Sequence, residues 1–494
     1  MNTADYLLEC GAPESTALIA GKTAITYREL RSACERVAGE LIRSGVEPGD
    51  RVGILGNNSL FWVAAYLATM KLGAIAVPFA TTLTSDEIAG IAAFVQCKSI
   101  CAERRMLRNF ASVLTGMVIF DDVLQQPGRQ DWPAAETIQD LDQNAALMFT
   151  SGTTAKPRLV QVTHRNIQAN TGSIIEYLEL DRNDRILSVL QFFYCFGTSL
   201  LHTHLRVGGS VAMATSFVYP EIVLNMMEEN ACTGFAGVPS TYQTLLRNST
   251  FPRRQMKDLR KLQQAGGKLQ NVLIQELVKC VPQARVYVMY GQTEATARLS
   301  YLPPELLATK LGSIGKGIPG VTLEVIGDDG SPVKPTEVGE IIARGDNISP
   351  GYWNDPENSA AKFIDGALHS GDLATVDEDG FIYVVDRKAD FIKSYGYRVS
   401  SQRIEECIVE LPDVVAAAVI GEPDLVRGEA IWAFVVQRSG ASLTGADIIN
   451  HCGNRLSNYM VPKEVVFLDQ LPTNAHGKIV KNELRKRLSQ TGAG

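Results

Sequence analysis

Thr150-Ser151-Gly152-Thr153-Thr154-Ala155-Lys156-Pro157-Arg158 decides how this chain is read. An apolar run, Ala145 to Phe149, leads into it, and Thr163-His164-Arg165-Asn166 follows with the residue types of a helix start. The stretch is therefore expected to be a hydroxyl-rich loop at the end of a buried strand. Free backbone N–H groups, four hydroxyls, one lysine and one arginine suit a polyphosphate. It is not a Walker loop, because G-x-x-x-x-G-K-[ST] is absent. Taken alone, a short Ser/Thr/Gly run is more often a surface linker, so the rest of the chain has to decide.

The chain has 494 residues, too many for one hydrophobic core, and two or more domains are expected. Apolar residues make up 45% and charged residues 20%, ordinary for a globular enzyme. A net charge of −7 argues against a nucleic-acid partner. No apolar run reaches membrane-spanning length, and Met1 to Cys10 lacks the basic start of a signal peptide. Nine cysteines without framework spacing fit a reducing cytoplasm. Cys97 and Cys101 have no second pair to complete a zinc set, and His202-Thr203-His204 reads as structural rather than metal-binding.

Short apolar strands alternate with amphipathic helices through the first three hundred or so residues. Arg28 to Ser44 is expected to be a helix stopped by Gly45, and Ser59 to Leu72 a helix apolar all round, hence buried. Ser85 is expected to cap the next one. Strands are expected at 50–55, 74–79, 185–190, 210–213, 234–238 and 284–289. Such alternation implies parallel sheet with helices on both faces and ligands beyond the carboxyl ends of strands. After Ile318 the texture changes to short strands and turns, such as Asp328-Asp329-Gly330, which implies an antiparallel or barrel-like subdomain. A small α+β unit follows. The expected division is 1–388 and 389–494.

Several short motifs recur in a fixed order: Thr150 to Arg158, Tyr290-Gly291-Gln292-Thr293-Glu294, Gly339-Glu340, Ser370-Gly371-Asp372, Asp386-Arg387 and Gly477-Lys478. Through them nearly the whole chain resembles the adenylate-forming superfamily of acyl- and aryl-CoA synthetases, peptide-synthetase adenylation domains and luciferases. The resemblance implies two doubly wound sheets plus a small β-barrel-like subdomain, followed by a small mobile α+β C-terminal domain. It also implies ATP and Mg²⁺ as cofactors. Thr150, Ser151, Gly152, Thr153, Thr154 and Lys156 would hold the β- and γ-phosphates. Tyr290 would stack on adenine, although a lone tyrosine after a strand is as often core packing. Thr293 and Glu294 would serve catalysis, with Glu294 an oxygen ligand for Mg²⁺; alone, that pair is more often a helix cap. Asp372 would hold the ribose hydroxyls, and Arg387 would contact ribose or phosphate, or else pair with Asp386 or Asp390. Lys478, otherwise an ordinary surface lysine, would stabilise the carboxylate attacking the α-phosphate. Gly396, in Lys393 to Val399, would line the pantetheine tunnel, or simply make a hairpin turn. Two departures stand out: Ala155 where the loop usually has Gly, and Ala389 where the hinge usually has Asp or Lys.

The acid pocket implied by the resemblance comprises Tyr194, Cys195, Phe196, Ser199, Gly237, Gln263, Ala265, Gly266, Met289 and Ala297. Amino-acid-activating relatives carry Asp at the position of Cys195, which a thiol does not replace, so an α-amino acid is not expected. Phe196, Gly237 and Ala265 suit a flat ring, and Ser199 and Gln263 suit a hydroxyl or amino substituent. The implied reaction is adenylation of an aryl acid such as salicylate or anthranilate, then transfer to a phosphopantetheine thiol. The acceptor would be a carrier protein in trans, toward which the aryl pocket tilts the reading, or coenzyme A. Arg298 stays open between substrate contact and pairing with a surface acid. The competing readings are an aliphatic acyl-CoA synthetase, a luciferase-like oxidoreductase, and a non-catalytic interaction protein motivated by Ala155 and Ala389.

Overall fold

Helix Leu60–Lys71 is the centre of the N-terminal half. Every residue from Phe61 to Met70 is buried, and Ser59 Oγ accepts from Trp62 N to start it. Trp62 stacks on Tyr66 at 5.2 Å, and Tyr66 on His202 at 5.7 Å, so the helix joins the two large sheets through its aromatic face. The amphipathic helix before it spans Tyr27–Arg43, capped by Thr26 and Glu29 acting on each other's backbone N–H. The computed structural model describes residues 1–114, 116, 118–125, 140–150, 158–214, 216–387, 391–474 and 477–491.

Four sheets form among the described residues. The first has six strands, in the order Val118–Phe120, Cys97–Ala102, Arg51–Leu55, Ile75–Phe79, Asn144–Phe149, Leu159–Thr163. All its neighbours are parallel except the last pair. The second has nine strands, with a parallel core of Arg285–Tyr290, Lys261–Gln264, Gly234–Gly237, Arg185–Ser188, Ser210–Met213 and Thr16–Ala20. Antiparallel strands close both of its edges. The third is the expected antiparallel subdomain, built on Val321–Ile326, Gly339–Gly345, Ala367–Val376 and Ile382–Arg387. The C-terminal unit pairs Val414–Asp424 with Gly428–Gln437 and packs Ser401–Val409 against them.

Three local expectations change. The opening loop joins two antiparallel strands, because Leu159–Thr163 runs back beside Asn144–Phe149 rather than leading straight into the helix. That helix, His164–Leu178, starts from Thr163 as foreseen, with Asn166 completing the cap. The helix Ser85–Phe94 is capped by Thr84, not Ser85: Thr84 sits one residue earlier, where it and Glu87 bond reciprocally. Thr16–Ala20 carries no sequence signal of its own, yet it enters the nine-stranded sheet because it pairs with Ser210–Met213.

His202 and His204 are structural, as expected. His202 Nε2 lies 3.2 Å from Tyr66 Oη, and His204 Nδ1 lies 2.9 Å from Leu200 O. Burial lowers their pKa from 6.5 to about 3 and about 4. Both are neutral in the native state, whereas the unfolded chain takes up protons below pH 6.5. Their contribution is therefore complete above pH 6.5 and is lost as pH falls towards 4 and then 3. At pH 5 each is expected to cost about 2 kcal/mol relative to neutral pH. His202→Gln should shrink the loss of stability between pH 7.5 and 5 by about that amount. Urea unfolding at the two pH values checks this, and an unchanged pH slope would contradict it.

Candidate active site

The strand Arg285–Tyr290 ends in a turn that folds straight back, with Leu299 N donating to Tyr290 O at 2.9 Å. Gly291 makes this turn possible: a Cβ there would stand 2.0 Å from Ala297 O. Thr293 and Glu294 occupy one turn of 3-10 helix, Thr293–Ala295. Thr296 follows at φ +65°, a conformation that a β-branched residue adopts only when its surroundings impose it. Its hydroxyl donates to Asn347 O at 2.8 Å. Beside this turn opens a cavity of about 380 Å³.

Of the described residues assigned to ATP from sequence, Thr150, Tyr290 and Asp372 line this cavity. Thr150 and Arg158, the two ends of the opening loop, both line it, and Thr150 N donates to Arg158 O at 3.0 Å. Ser151, Gly152, Thr153, Thr154, Ala155 and Lys156 lie outside the described residues. Tyr290 and Asp372 line the cavity from two different sheets, joined by a 2.6 Å hydrogen bond from Tyr290 Oη to Asp372 Oδ2. Arg387 stands opposite Asp372 in the strand pairing. Lys478 lines the same cavity from the C-terminal unit, where Ser240 Oγ donates to Gly477 O at 2.9 Å and so ties the two units together. Ala389 lies outside the described residues. Gly396, at φ +81°, sits with Tyr395 at φ +51° in a two-residue hairpin turn away from the cavity lining.

Of the acid-pocket residues, Tyr194, Cys195, Phe196, Ala265, Gly266, Met289 and Ala297 line the cavity. Ser199, Gly237 and Gln263 are not among its lining residues. Ser199 Oγ donates to Phe196 O at 2.7 Å, and a Cβ on Gly237 would press on Thr241 at 2.9 Å. Cys195 is buried, with Sγ 3.5 Å from Thr293 Oγ1, and burial pushes its thiol pKa up. Lys478 and Arg298 are both near enough to pull that pKa the other way. The sequence reading missed Tyr352, whose hydroxyl donates to Glu294 Oε1 at 2.8 Å and whose pKa is raised by burial and by that carboxylate. It also missed Lys362, which lines the cavity and donates to Ser370 O at 2.6 Å. Neither lies in a local pattern that would have singled it out. The Glu294 carboxylate and the Thr150 and Thr293 hydroxyls form an all-oxygen donor set around one cavity, the chemistry that fits Mg²⁺. Elsewhere, Cys407, Glu410 and His451 approach one another, but His451 Nε2 lies 2.9 Å from Cys407 O, and Arg455 Nε pairs with Glu410 at 2.8 Å.

Comparison with known proteins agrees with this arrangement. Residues 10–353 match the AMP-binding enzyme family, and residues 403–478 match the AMP-binding enzyme C-terminal domain. A feruloyl-CoA synthase from Amycolatopsis sp is 33% identical over 479 residues, covering 96% of each chain. The o-succinylbenzoate CoA synthetase of Bacillus subtilis, solved with its acyl-adenylate intermediate, superposes with a TM-score of 0.87 at 29% identity, over 98% of both chains. An anthranilate CoA ligase in complex with anthranoyl-AMP gives 0.90 at 25% identity, over 99% of this chain and 98% of that one. The chain belongs to the AMP-binding enzyme family. It is an AMP-forming acid–CoA ligase that uses ATP with magnesium. Among the described residues no helix is long and apolar enough to cross a membrane.

Gly291→Ala tests the turn that carries Thr293 and Glu294. Its methyl group has no room against the Ala297 carbonyl, and the substitution is expected to cost about 1–3 kcal/mol of stability. Urea unfolding measures this, and a midpoint equal to that of the unaltered protein would show that the turn can open.

Proposed function

We propose that the chain is an aryl-acid–coenzyme A ligase. An aromatic carboxylate oxygen attacks the α-phosphorus of ATP and pyrophosphate leaves. The thiol of coenzyme A then attacks the acyl carbonyl, AMP departs, and the thiol proton passes to solvent. The observation that carries the aromatic reading is the pocket wall around Cys195. Phe196 and Met289 line the cavity beside Cys195, a buried thiol with a raised pKa, so residue 195 offers no carboxylate to pair with an α-ammonium group.

The chain's own residues divide the work. The loop from Thr150 through Lys156 holds the β- and γ-phosphates. Tyr290 supports adenine, its ring fixed by the bond to Asp372, and Asp372 takes the ribose hydroxyls with Arg387 beside it. Lys478 stabilises negative charge as the carboxylate meets the α-phosphate. Glu294, with the help of Thr293, would hold Mg²⁺, which would neutralise phosphate charge. The unit from 389 onward carries Lys478, and its rotation would bring the hairpin at Gly396 to the pantetheine arm. Two independent family matches, ending at 353 and starting at 403, support a division near 388.

Coenzyme A is favoured over a carrier protein because the likeness to coenzyme A ligases runs the length of the chain. The ring substituent is less well served by the residues first assigned to it. The Ser199 hydroxyl is engaged by the Phe196 carbonyl, and Gln263 lies off the cavity lining. Lys478→Ala is expected to lower acid-dependent ATP–pyrophosphate exchange by about 100-fold or more. Thioester formation from supplied acyl-adenylate should fall far less. Normal exchange by this variant would overturn the role of Lys478. Exchange faster with fatty acids than with any benzoate or phenylpropenoate would overturn the aryl reading.

A further inference from the structure

The acid pocket contains a cation that the reaction above does not use. Arg298 lines the cavity and is 2% exposed, and its side chain is a guanidinium cation. Its Cζ lies 3.9 Å from the centre of the Phe196 ring, and its Nε donates to Met289 Sδ at 3.4 Å. Its Nη2 has no hydrogen-bond partner. Among the described residues no carboxylate stands within salt-bridge distance of it. A buried guanidinium held by a ring face, a thioether and the neighbouring Tyr177 hydroxyl is poorly compensated, because none of these groups carries the opposite charge.

The backbone beneath this side chain is firmly placed. Asn170 Nδ2 and Asn347 Nδ2 donate to Arg298 O at 3.0 and 2.8 Å, and Arg298 N donates to Asn170 Oδ1 at 3.3 Å. Both asparagines are buried. So the guanidinium is set in position rather than free to swing to solvent. Cys195 lies within the electrostatic reach of both Lys478 and Arg298. The pocket therefore offers two cations to an acid for which the adenylation step needs one.

We propose that the aromatic acid carries a second carboxylate, which pairs with Arg298 while the reacting carboxylate lies at Lys478. This rests on the aryl-acid reading above and specifies its substrate class. A second carboxylate supplies both what Nη2 lacks, an acceptor, and what the buried guanidinium lacks, an opposite charge. A ring hydroxyl supplies only the acceptor. A ring amine presents N–H groups to an all-donor guanidinium, which sets aminobenzoates against this pocket.

The test is ATP–pyrophosphate exchange with matched pairs of acids: benzoates and phenylpropenoates with and without a second carboxyl group, 2-succinylbenzoate, and aliphatic mono- and diacids. Each is measured with the unaltered enzyme, Arg298→Gln and Arg298→Lys. The diacid member of an aromatic pair should have a kcat/KM about 100-fold above its monoacid parent. Arg298→Gln should collapse that ratio to near one, and Arg298→Lys should restore part of it. The ratio is internal to each variant, so poor folding, which lowers both members alike, does not mimic the result. Monoacids used as well as diacids by the unaltered enzyme, or a ratio unchanged in Arg298→Gln, would overturn the proposal. The latter is also the result expected if Arg298 grips the reacting carboxylate instead. An Arg298-dependent preference confined to aliphatic diacids would retain the second carboxylate and overturn the aryl reading alone.

Discussion

Coulomb repulsion between a carboxylate and a triphosphate is the obstacle that this site is arranged to overcome. Two unit charges 4 Å apart repel by about 1 kcal/mol in water and about 4 kcal/mol near a protein surface, and a triphosphate carries several. The cavity meets this with cations from segments far apart in the chain. Arg158 comes from the end of the opening loop, Lys362 from the antiparallel subdomain, and Lys478 from the C-terminal unit. No single sheet could supply them, which is why the site lies where the sheets and both units converge. The hydrogen bond from Tyr290 to Asp372 spans two sheets, and that from Ser240 to Gly477 spans the two units. The fold is thus assembled around the point where its positive charges have to meet.

The strained turn at 291–298 is the most constrained part of that assembly. Gly291 has no room for a side chain, and Thr296 is held at positive φ. A conformation of this kind persists only when neighbours over-determine it. Here the neighbours are buried: Asn347 receives Thr296 Oγ1 at its carbonyl and donates to Arg298 O, while Ser349 N donates to Glu294 O. The outcome is that Glu294 and Arg298, four residues apart, line one cavity with fixed spacing.

The motifs made much of this readable in advance, because they carry chemically distinctive residues, one at a strand end, Tyr290, one within a strand, Asp372, and one in a loop, Lys478. Tyr290, Asp372 and Lys478, singled out by those motifs, all line the cavity, and the helix with apolar residues on every side is buried. What stayed hidden depends on tertiary proximity. Tyr352 is an unremarked aromatic in sequence and gains meaning only from the Glu294 carboxylate that meets it across the fold. Thr16–Ala20 is a strand because Ser210–Met213 offers it an edge. Thr84 rather than Ser85 caps its helix because the reciprocal bond needs a carboxylate three residues on: Glu87 stands there for Thr84, whereas Ile88 stands there for Ser85. Ser199 pointed to the substrate by position, but a serine inside a helix has its own backbone as a competing acceptor, and Phe196 O accepts its hydrogen bond.

Arg298 and Lys478 show how the same charge serves two purposes according to what holds it. Lys478 belongs to a C-terminal loop that meets the N-terminal unit through Gly477, and its compact ammonium on a flexible stem suits a charge brought to the reacting atoms for one step. Arg298 is carried by a strained turn, backed by two buried asparagines and stacked on Phe196. Its planar guanidinium is pre-organised, so little conformational freedom is lost when an acceptor arrives. A charge of the first kind acts on whichever acid is bound, because every carboxylate develops the same negative charge at the α-phosphate. A charge of the second kind cannot act on the reaction alone, since it remains buried between turnovers and its desolvation is relieved only by an acid of complementary charge. On the proposed reading, the reaction and the choice of acid therefore reside in different cations, one on a loop of the C-terminal unit and one on a buried turn of the N-terminal unit.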